Sequence, residues 1–168
     1  METLPTAPRP AALAWSAANC TLGRAMGVLG ERWTVVVLRE VFNGLRRFDD
    51  LRARTAIPRQ VLSDRLRTLV DEGILHRHPY REPGERVRHE YRLTGKGFEL
   101  YPVLLAVRDW GDRWLADPGG PPMVAEHRGC GGTVRTELRC DAGHPVTDPR
   151  DVLARPGPGA RPRHAADG

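Results

Sequence analysis

Apolar residues between positions 20 and 42 recur at the three- and four-residue spacing of helices. A break at Gly30 divides them into one helix over 22–29 and a second over 33–42, and Asn43-Gly44 supplies a stop. Phe48 and Leu51 share one face of a short third helix over 48–54. The fourth helix begins at Pro58, because the first helical position needs no N–H donor. It runs to Glu72 and ends at Gly73, a natural C-terminal cap. The pattern then changes to strands over 74–80 and 87–93, separated by the turn Glu82-Pro83-Gly84-Glu85, which makes a hairpin with a charged tip. Thr94 is placed to cap a long last helix reaching Ala116, and Pro102 inside that helix is expected to kink it.

The predicted class is mainly α with a small β-hairpin (α+β). Two helices, a short helix, a turn, a longer helix and a charged hairpin follow the order of a winged helix-turn-helix. Four segments are expected: a flexible arm over 1–18, the winged-helix core over 19–116, a linker with a small Cys/His hairpin over 117–147, and a disordered Pro/Gly/Ala/Arg-rich tail over 148–168.

A wheel drawn on the fourth helix puts Val61, Leu62, Leu66, Leu69 and Val70 on the buried side. Gln60, Ser63, Asp64 and Arg67 fall on the opposite side, free to face a ligand. Gln and Arg make bidentate contacts to adenine and guanine edges, while Ser and Asp discriminate less. Arg59, at the helix N-terminus, is placed to reach a phosphate. The hairpin adds Arg77, Arg81, Arg86 and Arg88, diluted by Glu82, Glu85 and Glu90. A solvated polar face is the competing reading for each of these groups.

Composition sharpens that choice. The 168 residues carry a net charge of +5, and its placement is uneven. Residues 46–92 hold 12 arginines against 8 carboxylates, whereas residues 93–168 balance to zero. A surplus that sits almost wholly in the helix-turn-helix and hairpin suits a polyanion-binding surface. There is no apolar run of about 18 residues for a membrane span and no signal-peptide pattern at the start, so a cytoplasmic location with no membrane partner is expected. Three cysteines are too few and too odd a set for a disulfide framework.

Over Cys20 to Gly111 the chain resembles the HxlR-type family of winged-helix transcriptional regulators. The resemblance is carried by Cys20-Thr21-Leu22-Gly23-Arg24, by Gly30-Glu31-Arg32-Trp33 and by Arg47-Phe48-Asp49-Asp50-Leu51. It continues through the helix ending at Leu69, Asp71-Glu72-Gly73-Ile74-Leu75, Tyr91-Arg92-Leu93-Thr94 and Trp110-Gly111. It implies a homodimer that binds palindromic operators in double-stranded DNA, acting as a repressor, with a dimer surface made by the first and last helices. The stripe of Leu100, Val103, Leu104, Val107, Trp110 and Trp114 at helical spacing supports such a surface independently. An intramolecular core contact is the alternative.

Two further features bear on regulation. Cys20 lies at the N-terminus of the first helix, where a thiolate is stabilised. The resemblance implies a candidate sensor of thiol-reactive or small-molecule effectors there, although Thr21 stands where the family usually has proline. A packing cysteine is the alternative. In the C-terminal segment, His127-x2-Cys130 and Cys140-x3-His144 offer ligand types for a structural zinc ion, flanked by glycines. An unmetallated hairpin and a redox pair are the competing readings.

No phosphate loop, nucleophile elbow or paired acid/base set is present, so an enzyme is not expected. The remaining alternative is a protein-interaction module whose winged helix does not bind DNA and whose Cys/His tail docks a partner.

Overall fold

The computed structural model describes residues 14–163. The chain divides into two compact units, Gly27–Leu138 and a smaller one formed by Met1–Met26 with Arg139–Gly168. In the expected N-terminal arm and C-terminal tail, positions 1–13 and 164–168 lie outside the described residues.

Among the described residues six α-helices and one hairpin follow in order: α1 (Thr21–Leu29), α2 (Arg32–Phe42), α3 (Phe48–Thr55), α4 (Arg59–Asp71), β1 (Leu75–Tyr80), β2 (Arg88–Leu93), α5 (Gly95–Phe98) and α6 (Tyr101–Trp114). The core of the larger unit gathers Val37, Leu38 and Val41 of α2, Leu51 of α3, Ile57, and Leu62, Leu66 and Leu69 of α4, with Ile74 and Leu75 at the start of the hairpin. Each leucine buried to this degree contributes roughly 1.5–3 kcal/mol. This packing, more than helix propensity, holds α2 across α4.

The junction between α3 and α4 is a three-residue turn. Ala56 adopts the left-handed region (φ 53°) as the C-cap of α3, Ile57 is buried, and Pro58 is the N-cap of α4. Thr55 stiffens the turn: its Oγ1 donates to the Leu51 carbonyl (2.6 Å) and accepts from the Ile57 N–H (3.4 Å). Glu40 fixes α3 from the other side. Its carboxylate is buried, hydrogen-bonded by Arg39, and lies 3.7 Å from Arg54 Nε on α3.

Gly73, at φ 66°, ends α4 in a Schellman arrangement. Its N–H donates to the Val70 carbonyl and that of Ile74 to the Leu69 carbonyl, both at 2.9 Å. The side chain of Lys96 donates to the Glu72 carbonyl at 2.6 Å, placing the single lysine of the sequence at the negative end of α4. β1 and β2 pair antiparallel from Leu75↔Leu93 to Tyr80↔Arg88.

The last helix departs from expectation. Thr94 does cap, accepting the Gly97 N–H at 3.1 Å, but the helix it starts is only α5. The chain turns at Glu99 and Leu100, and α6 starts afresh at Tyr101 with Pro102 in its first turn. Pro102 therefore opens a helix rather than kinking one, because its missing N–H is harmless there and disruptive mid-helix. α5 also needs Gly97, since a Cβ at that position would lie 2.3 Å from the Ile74 carbonyl oxygen.

After α6, residues 123–138 of the larger unit form a tight loop closed by the bridge Glu126↔Thr133. The Thr136 N–H donates to Asp109 Oδ2 on α6 at 2.8 Å. This bond, followed by the Arg108 guanidinium, holds the Asp109 carboxyl below its usual range. In the smaller unit, Trp15 pairs with Pro162, Arg139 pairs with Pro145, and Pro149–Asp151 makes a 3-10 turn within the stretch that sequence composition leaves without an element.

Candidate nucleic-acid interface

The exposed side of α4 is the centre of the site. Leu62, Leu66 and Leu69 point into the core and Arg59, Gln60 and Arg67 are exposed, with Ser63 and Asp64 half-buried between them. Asp64 Oδ1 accepts from Gln60 Nε2 at 3.0 Å and from Arg67 Nη1 at 3.2 Å, so the three polar side chains form one row along the helix. Arg59 stacks its guanidinium over the Phe48 ring of α3, 5.3 Å from the centroid. This holds it at the helix N-terminus, where backbone N–H groups also favour an anion.

The hairpin presents its arginines unequally. Arg77 contacts the His89 ring at 3.2 Å, Arg81 donates to the Glu85 carbonyl, and Arg88 pairs with the Glu85 carboxylate at 3.1 Å. Arg86, at the tip, is exposed and has no partner among the described residues.

Arg47 is the contributor that reading by helical faces missed. It precedes α3, pairs with Glu82 at the hairpin turn (2.6 Å) and stacks over the Tyr80 ring at 4.5 Å. Hydrogen bonding to Glu82 raises the pKa of the Arg47 guanidinium above its ordinary value. The neighbouring backbone joins the sheet, with the Tyr91 N–H donating to the Arg46 carbonyl at 2.8 Å and a bridge from Arg47 to Glu90. The hairpin is thereby tied to the helix-turn-helix, and Glu82 is ion-paired, as Glu85 is by Arg88 and Glu90 by Arg92. The only trace in the sequence is an arginine before Phe48; its partner lies 35 residues away.

The apolar stripe divides. Leu100 and Leu104 pack against the core together with buried Leu105, whereas Val103, Val107, Trp110 and Trp114 are exposed, the two tryptophans at 59% and 67%. Beside them a groove of about 700 Å³ runs between α6 and residues 121–138, with Met123, Val124 and Leu138 on its far wall.

Cys20 is exposed and sits before the first turn of α1, its Sγ accepting the Gly23 N–H at 3.4 Å. The Cys/His residues form two local pairs. His127 Nδ1 lies 3.3 Å from Cys130 Sγ in the larger unit, and Cys140 Sγ lies 3.6 Å from His144 Nδ1 in the smaller. Among the described residues no group of three or more His, Cys, Asp or Glu side chains is gathered to hold a metal ion.

A helix-turn-helix with a basic hairpin at its flank is the arrangement that places one helix in a major groove and the hairpin on the backbone beside it. The family model described as HxlR-like helix-turn-helix matches residues 28–118. The chain belongs to the HxlR-like family. It is a transcriptional regulator of the helix-turn-helix type. Among its relatives, Rv3095 of Mycobacterium tuberculosis, named an HTH-type transcriptional regulator, is 43% identical over 147 residues, covering 87% of this chain and 91% of the relative. YvaP of Bacillus subtilis, named likewise, is 37% identical over 98 residues, 56% of this chain and 86% of the relative. Among solved structures, PA1607, described as a candidate transcription factor, superposes with a TM-score of 0.73 at 31% identity, covering 82% of this chain and 95% of that one. The redox regulator HypR in its oxidised form superposes at 0.52 with 29% identity, covering 58% of this chain and 100% of that one. These relatives are named as regulators, not enzymes. Among the described residues no helix is long and apolar enough to cross a membrane.

Proposed function

We propose that this HxlR-like protein binds duplex DNA as a homodimer and represses transcription from two-fold symmetric operators. α4 enters the major groove with the face that carries Gln60, Ser63, Asp64 and Arg67. Arg59 and the hairpin arginines Arg77, Arg81, Arg86 and Arg88 meet the flanking phosphates. The observation that carries this reading is the row of Gln60, Asp64 and Arg67, exposed opposite the buried leucines of α4 and beside a hairpin tied down by Arg47. The rival reading, a winged helix that docks protein alone, gives no reason for a cationic surplus concentrated in residues 46–92.

The dimer is built on the exposed part of the α6 stripe, Val103, Val107, Trp110 and Trp114. A contiguous apolar surface of this kind marks an association site. Cys20 is the effector-responsive group, acted on by thiol-reactive compounds. Its exposure and its place at a helix N-terminus support this, as does the likeness to a regulator named for redox control.

The test is selection of bound sequences from a randomised duplex pool, followed by competition at fixed salt. Arg67→Ala should cost about 1–3 kcal/mol on the selected site and relax preference at one base pair. Arg86→Ala should weaken all duplexes alike and lower the salt slope by about one counterion. If both substitutions act identically, the roles assigned to α4 and the hairpin are wrong.

A further inference from the structure

We propose that Asp64 is a positioning residue for base reading, holding Gln60 and Arg67 in the poses in which they meet the bases. The inference rests on the reading of α4 as the base-facing helix and goes beyond it by assigning the row a division of labour.

One carboxylate oxygen of Asp64 accepts both hydrogen bonds, from Gln60 one turn earlier and from Arg67 one turn later. The pair is partly solvent-exposed, with Arg67 64% and Asp64 36% open, so it adds little to fold stability. Its consequence is geometric. Gln and Arg are among the side chains with the most rotameric freedom, and a shared acceptor removes much of that freedom before any ligand arrives. The donor count permits it. The Gln60 amide gives one N–H to Asp64 and keeps its second N–H and its carbonyl oxygen, the pair that an adenine edge requires. Arg67 gives one N–H from Nη1 and keeps its remaining donors for a guanine edge. A carboxylate facing phosphates would otherwise weaken binding to every duplex, so Asp64 trades general affinity for discrimination.

Two effects of opposite sign are therefore expected from Asp64→Ala in the full-length protein. Affinity for an unselected duplex should rise a few-fold, because a negative charge leaves the DNA-facing surface. Discrimination between the selected duplex and single-base variants at the Gln60 and Arg67 positions should fall about tenfold. Asp64→Asn, which keeps an acceptor oxygen, should retain part of that discrimination. In an Arg67→Ala background, Asp64→Ala should produce no further loss at the Arg67 position, since its effect there runs through Arg67. The thermal midpoint of each variant should stay at the wild-type value.

Loss of preference at a third base pair, additive with Arg67→Ala, would overturn the proposal and make Asp64 a base reader in its own right. A uniform loss on all duplexes together with a lowered midpoint would overturn it in favour of a structural role. A wild-type protein that enriches no sequence at all would overturn the assignment of α4, and this inference with it.

Discussion

Ala56 holds the left-handed region at φ 53°, the only non-glycine residue with positive φ among the described residues. That conformation costs an L-residue roughly 1–2 kcal/mol, and it is adopted between the end of α3 and buried Ile57. Glycine would relieve the strain but adds freedom to the unfolded chain, worth about 0.5–1 kcal/mol in the other direction. Ala56→Gly is expected to raise the thermal midpoint by a few degrees, and a clear fall would show that the turn depends on the alanine methyl. Cys20 makes a second residue-scale prediction. Its sulfur accepts an N–H at the start of α1, so conversion to a bulkier oxidised or alkylated form changes the group that meets that N–H. Treatment with a quinone or diamide should change operator affinity of the wild type, and Cys20→Ser should bind normally but fail to respond. Equal behaviour of the two proteins would show that Cys20 is not the responsive group.

The elements are joined by a few polar contacts that set where each can lie. Arg47 ties the hairpin to α3, Lys96 ties α5 to the end of α4, and Asp109 ties the loop after α6 to that helix. The Asp109 contact carries a pH dependence of known sign. Its carboxyl is held below the ordinary value of 3.8, mainly by the Thr136 N–H. A depressed folded-state pKa contributes stability that is complete above the unfolded value and disappears as pH falls through the folded one. The Thr136 amide resonance should therefore titrate with a midpoint below 3.8, and the loop should be unaffected by pH changes between 5 and 8 from this source. Asp109→Ala should abolish the transition. A midpoint at or above the ordinary value would mean that the contact does not form.

For the whole molecule, the exposed tryptophans of α6 pose the main question. Val103, Val107, Trp110 and Trp114 lie on a surface that a lone chain leaves in water, while Leu100, Leu104 and Leu105 of the same region are taken up by the core. Pairing two such surfaces is expected to give twice the chain mass in sedimentation at micromolar concentration. Trp110→Glu should shift the population toward monomer and weaken operator binding with it, because two half-sites read together gain from being linked. A wild-type protein that sediments as a monomer, with or without DNA, would remove the dimer from the proposal.

Local patterning determined much of this protein. The four helices before the hairpin, the strands, the buried leucines of α4 and the opposite face with Gln60, Asp64 and Arg67 all follow from periodicity and end signals. Those report interactions within a few residues, and the chain encodes them directly. The family resemblance was legible for the same reason, since its motifs mark helix starts, turns and core positions. Other features were decided only when distant segments met. A helical stripe cannot say which of its members face the molecule's own core, so Leu100 and Leu104 were separated from Val103 and Trp110 by where α6 meets α2 and the core. Thr94 and Pro102 are both good helix starters. That they start two helices rather than one follows from Pro102, which cannot donate to the Phe98 carbonyl and so opens a new helix. What only the tertiary structure decided is that Gly97 of the first lies against the Ile74 carbonyl. The pairing of Arg47 with Glu82 depends on a turn 35 residues away, because ion pairing is a property of distance in space, fixed only once the hairpin has folded back.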